Sequence, residues 1–202
     1  MKALFLSQAE GRLKLAERAL GEIHGAGGNA ETFQIHWLDY LIQWKGTYNK
    51  VQQAAKDTPQ EIQWFGAVNK DRRNDPLLRW LYEARNDGEH GTDVSAKHQG
   101  PGFSFTTHGK EVILKLKPDG SLFLGPNGKP IAFDDGKEIE QIDIDPAESR
   151  LLPVKEYDGK RWVPVPELHL GKPIQPTPRV AAELGLDWLK LLVKVAVAMS
   201  KP

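Results

Sequence analysis

The run Arg85-Asn86-Asp87-Gly88-Glu89-His90 gathers the groups of this chain best suited to proton and phosphate chemistry. A histidine takes or gives a proton close to neutral pH. An arginine stays charged, and its planar fork matches two phosphate oxygens. Asn86 stands four residues before His90, hence on the same face of a helix, where its amide can orient the ring or bond a phosphate. The set suits cleavage of an RNA phosphodiester through the ribose 2′-hydroxyl. That reaction needs a proton acceptor, a proton donor and positive charge on the phosphorane. Arg85 and His90 are five residues apart, which is roughly 140° around a helix axis. One helix therefore splays them, and two copies facing across a cleft would converge them better. A plain structural role competes with this. An Arg and a His at a helix C-terminus interact favourably with the last carbonyls, and Arg85 can pair with Glu89 one turn on.

The elements that must position these groups are helical up to about residue 91. Ser7-Gln8-Ala9-Glu10 has the form of a capping box, and Leu13, Ala16, Leu20 and Ile23 follow on one face. Asn29 caps a longer helix whose Phe33, Trp37, Leu41, Trp44, Tyr48, Val51 and Ala55 recur at helical spacing. Thr58-Pro59-Gln60-Glu61 starts a third helix with Pro at its first position, and Ile62, Phe65 and Val68 form its apolar face. Asp75-Pro76 starts a fourth by the same device, carrying Leu77, Leu78, Leu81 and Ala84 and ending at His90-Gly91.

A polar linker, 92–102, separates these helices from a strand-like region, 103–176. Val112–Lys117 and Ser121–Leu124 flank Pro118-Asp119-Gly120 as one hairpin, and Leu152–Glu156 and Arg161–Val165 form another. Thr177-Pro178 then opens a last helix, 177–202, with Val180, Leu184, Trp188, Leu191, Val195 and Met199 as its stripe. It is too apolar to stand free in water, so it is expected to return to the N-terminal helices. The expected fold is α+β: a bundle of four N-terminal helices plus the C-terminal helix, with a small β-rich insertion.

The composition bounds the function. The chain has 202 residues, no cysteine, and 27 basic residues against 27 acidic. Disulfide frames, thiolate metal sites and cysteine nucleophiles are excluded. Neutral charge argues against a broad nucleic-acid or anionic-membrane surface. The N-terminal apolar run is too short for a signal peptide, and Leu189–Met199 is broken by Lys190 and Lys194. A cytoplasmic protein without membrane contact is expected. Lys70, Arg72 and Arg73 form a local basic cluster that can touch an RNA backbone, although Asp71 and Asp75 dilute it and a solvated loop explains it as well. His36, His98, His108 and His169 make no spaced metal set, so no metal and no cofactor is expected. Trp37, Trp44, Trp64, Trp80 and Trp188 read as core. Arg18 and His24 repeat an Arg–His spacing on the first helix, but Ala19 lends them no polar support.

Arg85-Asn86 followed by His90, late in a fourth helix, resembles the motif of the HEPN superfamily. Many of its members are metal-independent RNases, including toxins of toxin–antitoxin modules and nucleases of CRISPR systems, while others are non-catalytic helical modules. The resemblance covers the motif and the helical layout of about 1–91 and 177–202, and not the strand region. It implies a homodimer with two motifs facing each other, RNA as substrate, Arg85, Asn86 and His90 as the site, and an antitoxin or other protein as partner. In some members a tyrosine follows the histidine by two; Thr92 stands there, so that subgroup's tyrosine modification is not implied. The rival reading is a non-catalytic dimeric module that uses the strand region to hold a partner.

Overall fold

The computed structural model describes residues 1–27, 29–90, 95–99, 102–107, 110–112, 141–145, 148–156 and 160–200, with backbone alone at 87–90, 102–107, 110–112 and 141–145. Five helices, α1 (Ala3–Gly25), α2 (Ala30–Ala54), α3 (Pro59–Asn74), α4 (Pro76–His90) and α5 (Pro178–Met199), account for most of it. The chain divides into two compact units, one of residues 1–98 with 149–202 and one of 99–148.

Four local caps explain where the helices start. Asn29 accepts from the Thr32 amide at 2.9 Å. Thr58 and Glu61 form a reciprocal capping box at Pro59. Asp75 accepts from the Leu78 amide at 2.8 Å, and Thr177 accepts from the Val180 amide at 3.3 Å. The Ser7 box does not form. Helix α1 begins at Ala3, four residues earlier, with Lys2 as its cap. The Lys2 amide donates to the Ala54 carbonyl at the end of α2, at 3.2 Å. Tertiary anchoring thus carries the helix past the local start signal.

The core is aromatic and lies along α2. Phe33, Trp37, Leu41, Trp44, Tyr48 and Val51 are buried there, joined by Tyr40. From α4 come Leu77, Leu78, Trp80, Leu81 and Ala84, all fully enclosed. Helix α5 packs on α1 and α2. The Trp44 and Tyr48 rings stack on Trp188 at 5.9 and 6.1 Å. The face α5 buries is offset from the expected stripe and mixes large and small residues. Ala181, Ala182, Gly185, Leu186, Leu189, Leu192, Val193 and Ala196 are buried, whereas Leu191 is exposed. Small residues are needed because α2 comes close. Tyr40 donates to the Ala182 carbonyl at 2.7 Å, and the Trp44 indole donates to the Gly185 carbonyl at 2.9 Å. A Cβ at Gly185 would sit 2.5 Å from Leu81 Cδ1 and 2.9 Å from the Tyr40 hydroxyl. On α3, Phe65 is buried but Ile62 faces solvent.

Residues 149–176, read from sequence as part of the β-rich insertion, belong to the helical unit. The strands β1 (Ala96–Gln99) and β5 (Glu148–Leu151) pair with each other. Short antiparallel pairs, β6 (Val154–Lys155) with β7 (Trp162–Val163) and β8 (Leu168–His169) with β9 (Lys172–Pro173), pack against α4. The β6–β7 register, Val154 opposite Val163, matches the hairpin expected at 152–165. The other unit holds a three-stranded antiparallel sheet in the order β3 (Lys110–Val112), β2 (Gly102–Thr107), β4 (Gln141–Asp145). The hairpin expected around Pro118-Asp119-Gly120 lies outside the described residues.

Candidate functional site

Helix α4 carries Tyr82, Glu83, Arg85 and Asn86 within its last three turns. Neighbouring helices bring Lys45 and Tyr48 from α2, and Asn69 and Arg72 from α3. The i,i+3 spacing lets the Asn86 amide donate to Glu83 Oε2 at 3.0 Å. Lys45 Nζ donates to Asn86 Oδ1 and lies 4.4 Å from the centroid of the Tyr82 ring. The Arg72 guanidinium sits 4.0 Å from the same centroid. It donates to Asn69 Oδ1 at 3.2 Å, and the Tyr48 hydroxyl donates to that same oxygen at 3.1 Å.

Two of these cations are almost enclosed: Lys45 is 9% exposed and Arg72 is 6% exposed. Each is bonded to a neutral amide oxygen, and each faces the negative face of an aromatic ring. The Arg72 Nε–H finds no acceptor among the described residues. Burial pulls the Lys45 ammonium down to about 8. The Arg85 and Arg72 charges pull the same way, and Glu83 opposes them. Burial also lowers Arg85, against the pull of Tyr82. Burial raises the Tyr48 hydroxyl in spite of Arg72.

The expected site residues are therefore placed unevenly. Arg85 is half-buried on α4 beside Lys45. Asn86 is buried, with its oxygen engaged by Lys45 and its nitrogen by Glu83, so it ties α4 to α2 and does not face a phosphate. His90 is the last residue of α4, and its side chain lies outside the described residues. Lys70, Arg72 and Arg73 stand on helix α3 and not on a loop. Lys70 and Arg73 are exposed while Arg72 turns into the core, so the three do not form one patch. Trp64 and Trp188 are only partly buried and line a cavity of about 150 Å³ with Val68, Leu191 and Val195.

Sequence reasoning missed two features. Lys45 follows Trp44 in a helical run, where a lysine reads as solvated. The second is a buried carboxylate–imidazole pair, Asp75 Oδ1 and His169 Nδ1 at 3.1 Å. Asp75 Oδ2 also accepts from the Leu170 amide at 2.6 Å. Leu170 and Gly171 both take positive φ, 48° and 76°, in the tight turn between β8 and β9. The Asp-Pro start signal was legible, but nothing local marks a partner 94 residues away. Among the described residues, no three His, Asp or Glu side chains converge as a metal ion would require, and no helix is long and apolar enough to cross a membrane. No family model, no curated protein and no solved structure matches the chain.

Proposed function

We propose that the chain is a HEPN-type helical protein that binds RNA and cleaves it without a metal, with Arg85 and His90 as the reacting pair. The observation that supports this is the company Arg85 keeps on the last turns of α4. Lys45 and Arg72 bring two further cations, and their mutual repulsion helps hold Lys45 near a pKa of about 8. A phosphate would relieve that repulsion. In this reading His90 takes the proton of the ribose 2′-hydroxyl, the oxygen attacks phosphorus, and Arg85 holds the phosphorane charge. The 5′-oxygen leaves as an alcohol, taking its proton from the protonated His90 of the partner subunit, so that one proton is taken up and one given back. The products are a 2′,3′-cyclic phosphate and a 5′-hydroxyl. Two copies facing across a dimer bring the pair together, and an antitoxin-type partner would cover that cleft.

The test is cleavage of structured and single-stranded RNA with chelator present, with the product ends identified. Arg85→Ala and His90→Ala should each lower the rate typically 10²–10⁴-fold, and light scattering should give a dimer. Wild-type rates in both variants would refute the assignment. One observation favours a second reading, a non-catalytic dimeric module: Asn86 is spent on holding α4 to α2. A chain that dimerises but leaves every RNA intact would select it.

A further inference from the structure

A cavity of about 430 Å³ opens where α3 meets α4. Its volume lies within the roughly 300–1,000 Å³ typical of small-molecule sites. Arg73, Pro76 and Arg79 form one side, and the extended run Val163–Leu168 forms the other. The two sides differ in chemistry. The run is mostly apolar, Val163-Pro164-Val165-Pro166, with Leu168 at its end. The helical side presents two guanidinium groups.

The charges of this cleft do not cancel. Arg73 is exposed and has no hydrogen-bond or ion-pair partner among the described residues. Arg79 pairs with Glu156, but Glu156 also takes Arg161 Nε at 2.9 Å. One carboxylate thus serves two arginines. Glu167 is the single acid on the cavity wall. With Arg161 counted beside the cleft, three arginines face Glu156 and Glu167, an excess of one positive charge among the described residues. That excess suits a monoanion such as a carboxylate, which the fork of arginine holds through two oxygens as it does a phosphate.

We propose that this cleft is a binding site for an amphipathic carboxylate, a small molecule with one anionic head and an apolar body. Arg73 and Arg79 hold the head, and the body lies along Val163, Pro166 and Leu168. The site is separate from the Lys45–Arg85 cluster and does not depend on the nuclease reading.

Calorimetric titration of the whole chain with octanoate, octyl phosphate and octylammonium tests it. Octanoate should bind saturably and tighter than octylammonium. Octyl phosphate shows whether the head preference is for a carboxylate or for any anion, and tighter binding of the phosphate would overturn the carboxylate assignment. Arg73→Ala should weaken octanoate about tenfold, the worth of one charge-assisted hydrogen bond. Arg73→Lys should recover part of that loss, since it restores charge without the fork. Arg73 is exposed and has no partner among the described residues, so both variants should keep the wild-type helical spectrum. Leu168→Ser, which removes apolar surface without adding charge, should weaken octanoate and leave a short head such as acetate unaffected. Equal binding of octanoate and octylammonium, octanoate affinity unchanged in Arg73→Ala, or no saturation up to about 10 mM, far weaker than a fitted ligand of this size, would each overturn the proposal.

Discussion

Replacing Lys45 with methionine separates the cost of burying its charge from the value of its hydrogen bond. In the folded chain the ammonium loses its proton at about 8, against an ordinary 10.5. Between those values the unfolded chain binds the extra proton, so wild-type stability must rise with pH there. Below about 8 both states carry the charge and the penalty is constant; above 10.5 neither does. At 1.36 kcal/mol per pH unit the full rise has a ceiling of about 3 kcal/mol. The methionine variant has no such proton. It relieves up to that penalty at pH 7, but leaves the buried Asn86 oxygen without its donor, which costs about 1–3 kcal/mol. Near pH 7 the two effects nearly cancel. Near pH 10 only the loss remains, because a neutral amine still donates to Asn86. Urea unfolding followed by the helical signal at pH 7, 8.5 and 10 measures this. Burial also raises the Tyr40 and Tyr48 hydroxyls, but these titrate in both proteins and drop out of the difference. A stability difference that stays constant from pH 7 to 10 would refute the account of Lys45 as a buried, poorly compensated cation.

Gly185→Ala should destabilise by about 1–3 kcal/mol through overpacking, since the new methyl meets Leu81 Cδ1 at 2.5 Å; an unchanged melting temperature would mean that α2 and α5 can separate freely. Asp75→Ala removes the cap of α4 and the acceptor of both His169 and the Leu170 amide. A loss on the order of 3 kcal/mol is expected, with faster hydrogen exchange at Leu170. Leu170→Gly should stabilise by about 1 kcal/mol, because an exposed leucine at φ 48° loses strain and little burial; chemical denaturation reads the sign directly.

The starts of α2 to α5 were legible because each is a local event. Asn29, Thr58, Asp75 and Thr177 bond amides three residues away. The stripe of α2 was legible because large aromatic residues both mark it and fill the core. On α5 the same rule found Trp188, which stacks on Trp44 and Tyr48, but it also chose Leu191, which is exposed, and passed over Leu186, Leu189 and Leu192, which are buried. There the contact is made by what is absent, the side chain of Gly185 and most of that of Ala182, and hydropathy cannot weigh an absence. At the candidate site, Arg85-Asn86 was visible as a motif. The burial of Arg72 was not, because it depends on Tyr82 of α4 and Tyr48 of α2 closing on it. Asp75 read as a cap and His169 as no metal ligand, and only the packing of β8 on α4 joins them.

The hydrogen bonds from Tyr40 and Trp44 to the α5 backbone also impose an order on biosynthesis. A ribosome that has finished α4 has made two aromatic donors whose acceptors, the Ala182 and Gly185 carbonyls, are still about 90 residues from being encoded into chain. At 5–20 residues per second, the nascent helices wait roughly 5–20 s with that seam open. During that interval the surface of α2 that α5 later covers stays open to solvent. Residues 99–148, the other compact unit, emerge within the same interval. Their length sets part of the delay, so a chain in which that unit is shortened should spend less time with the α2 seam exposed.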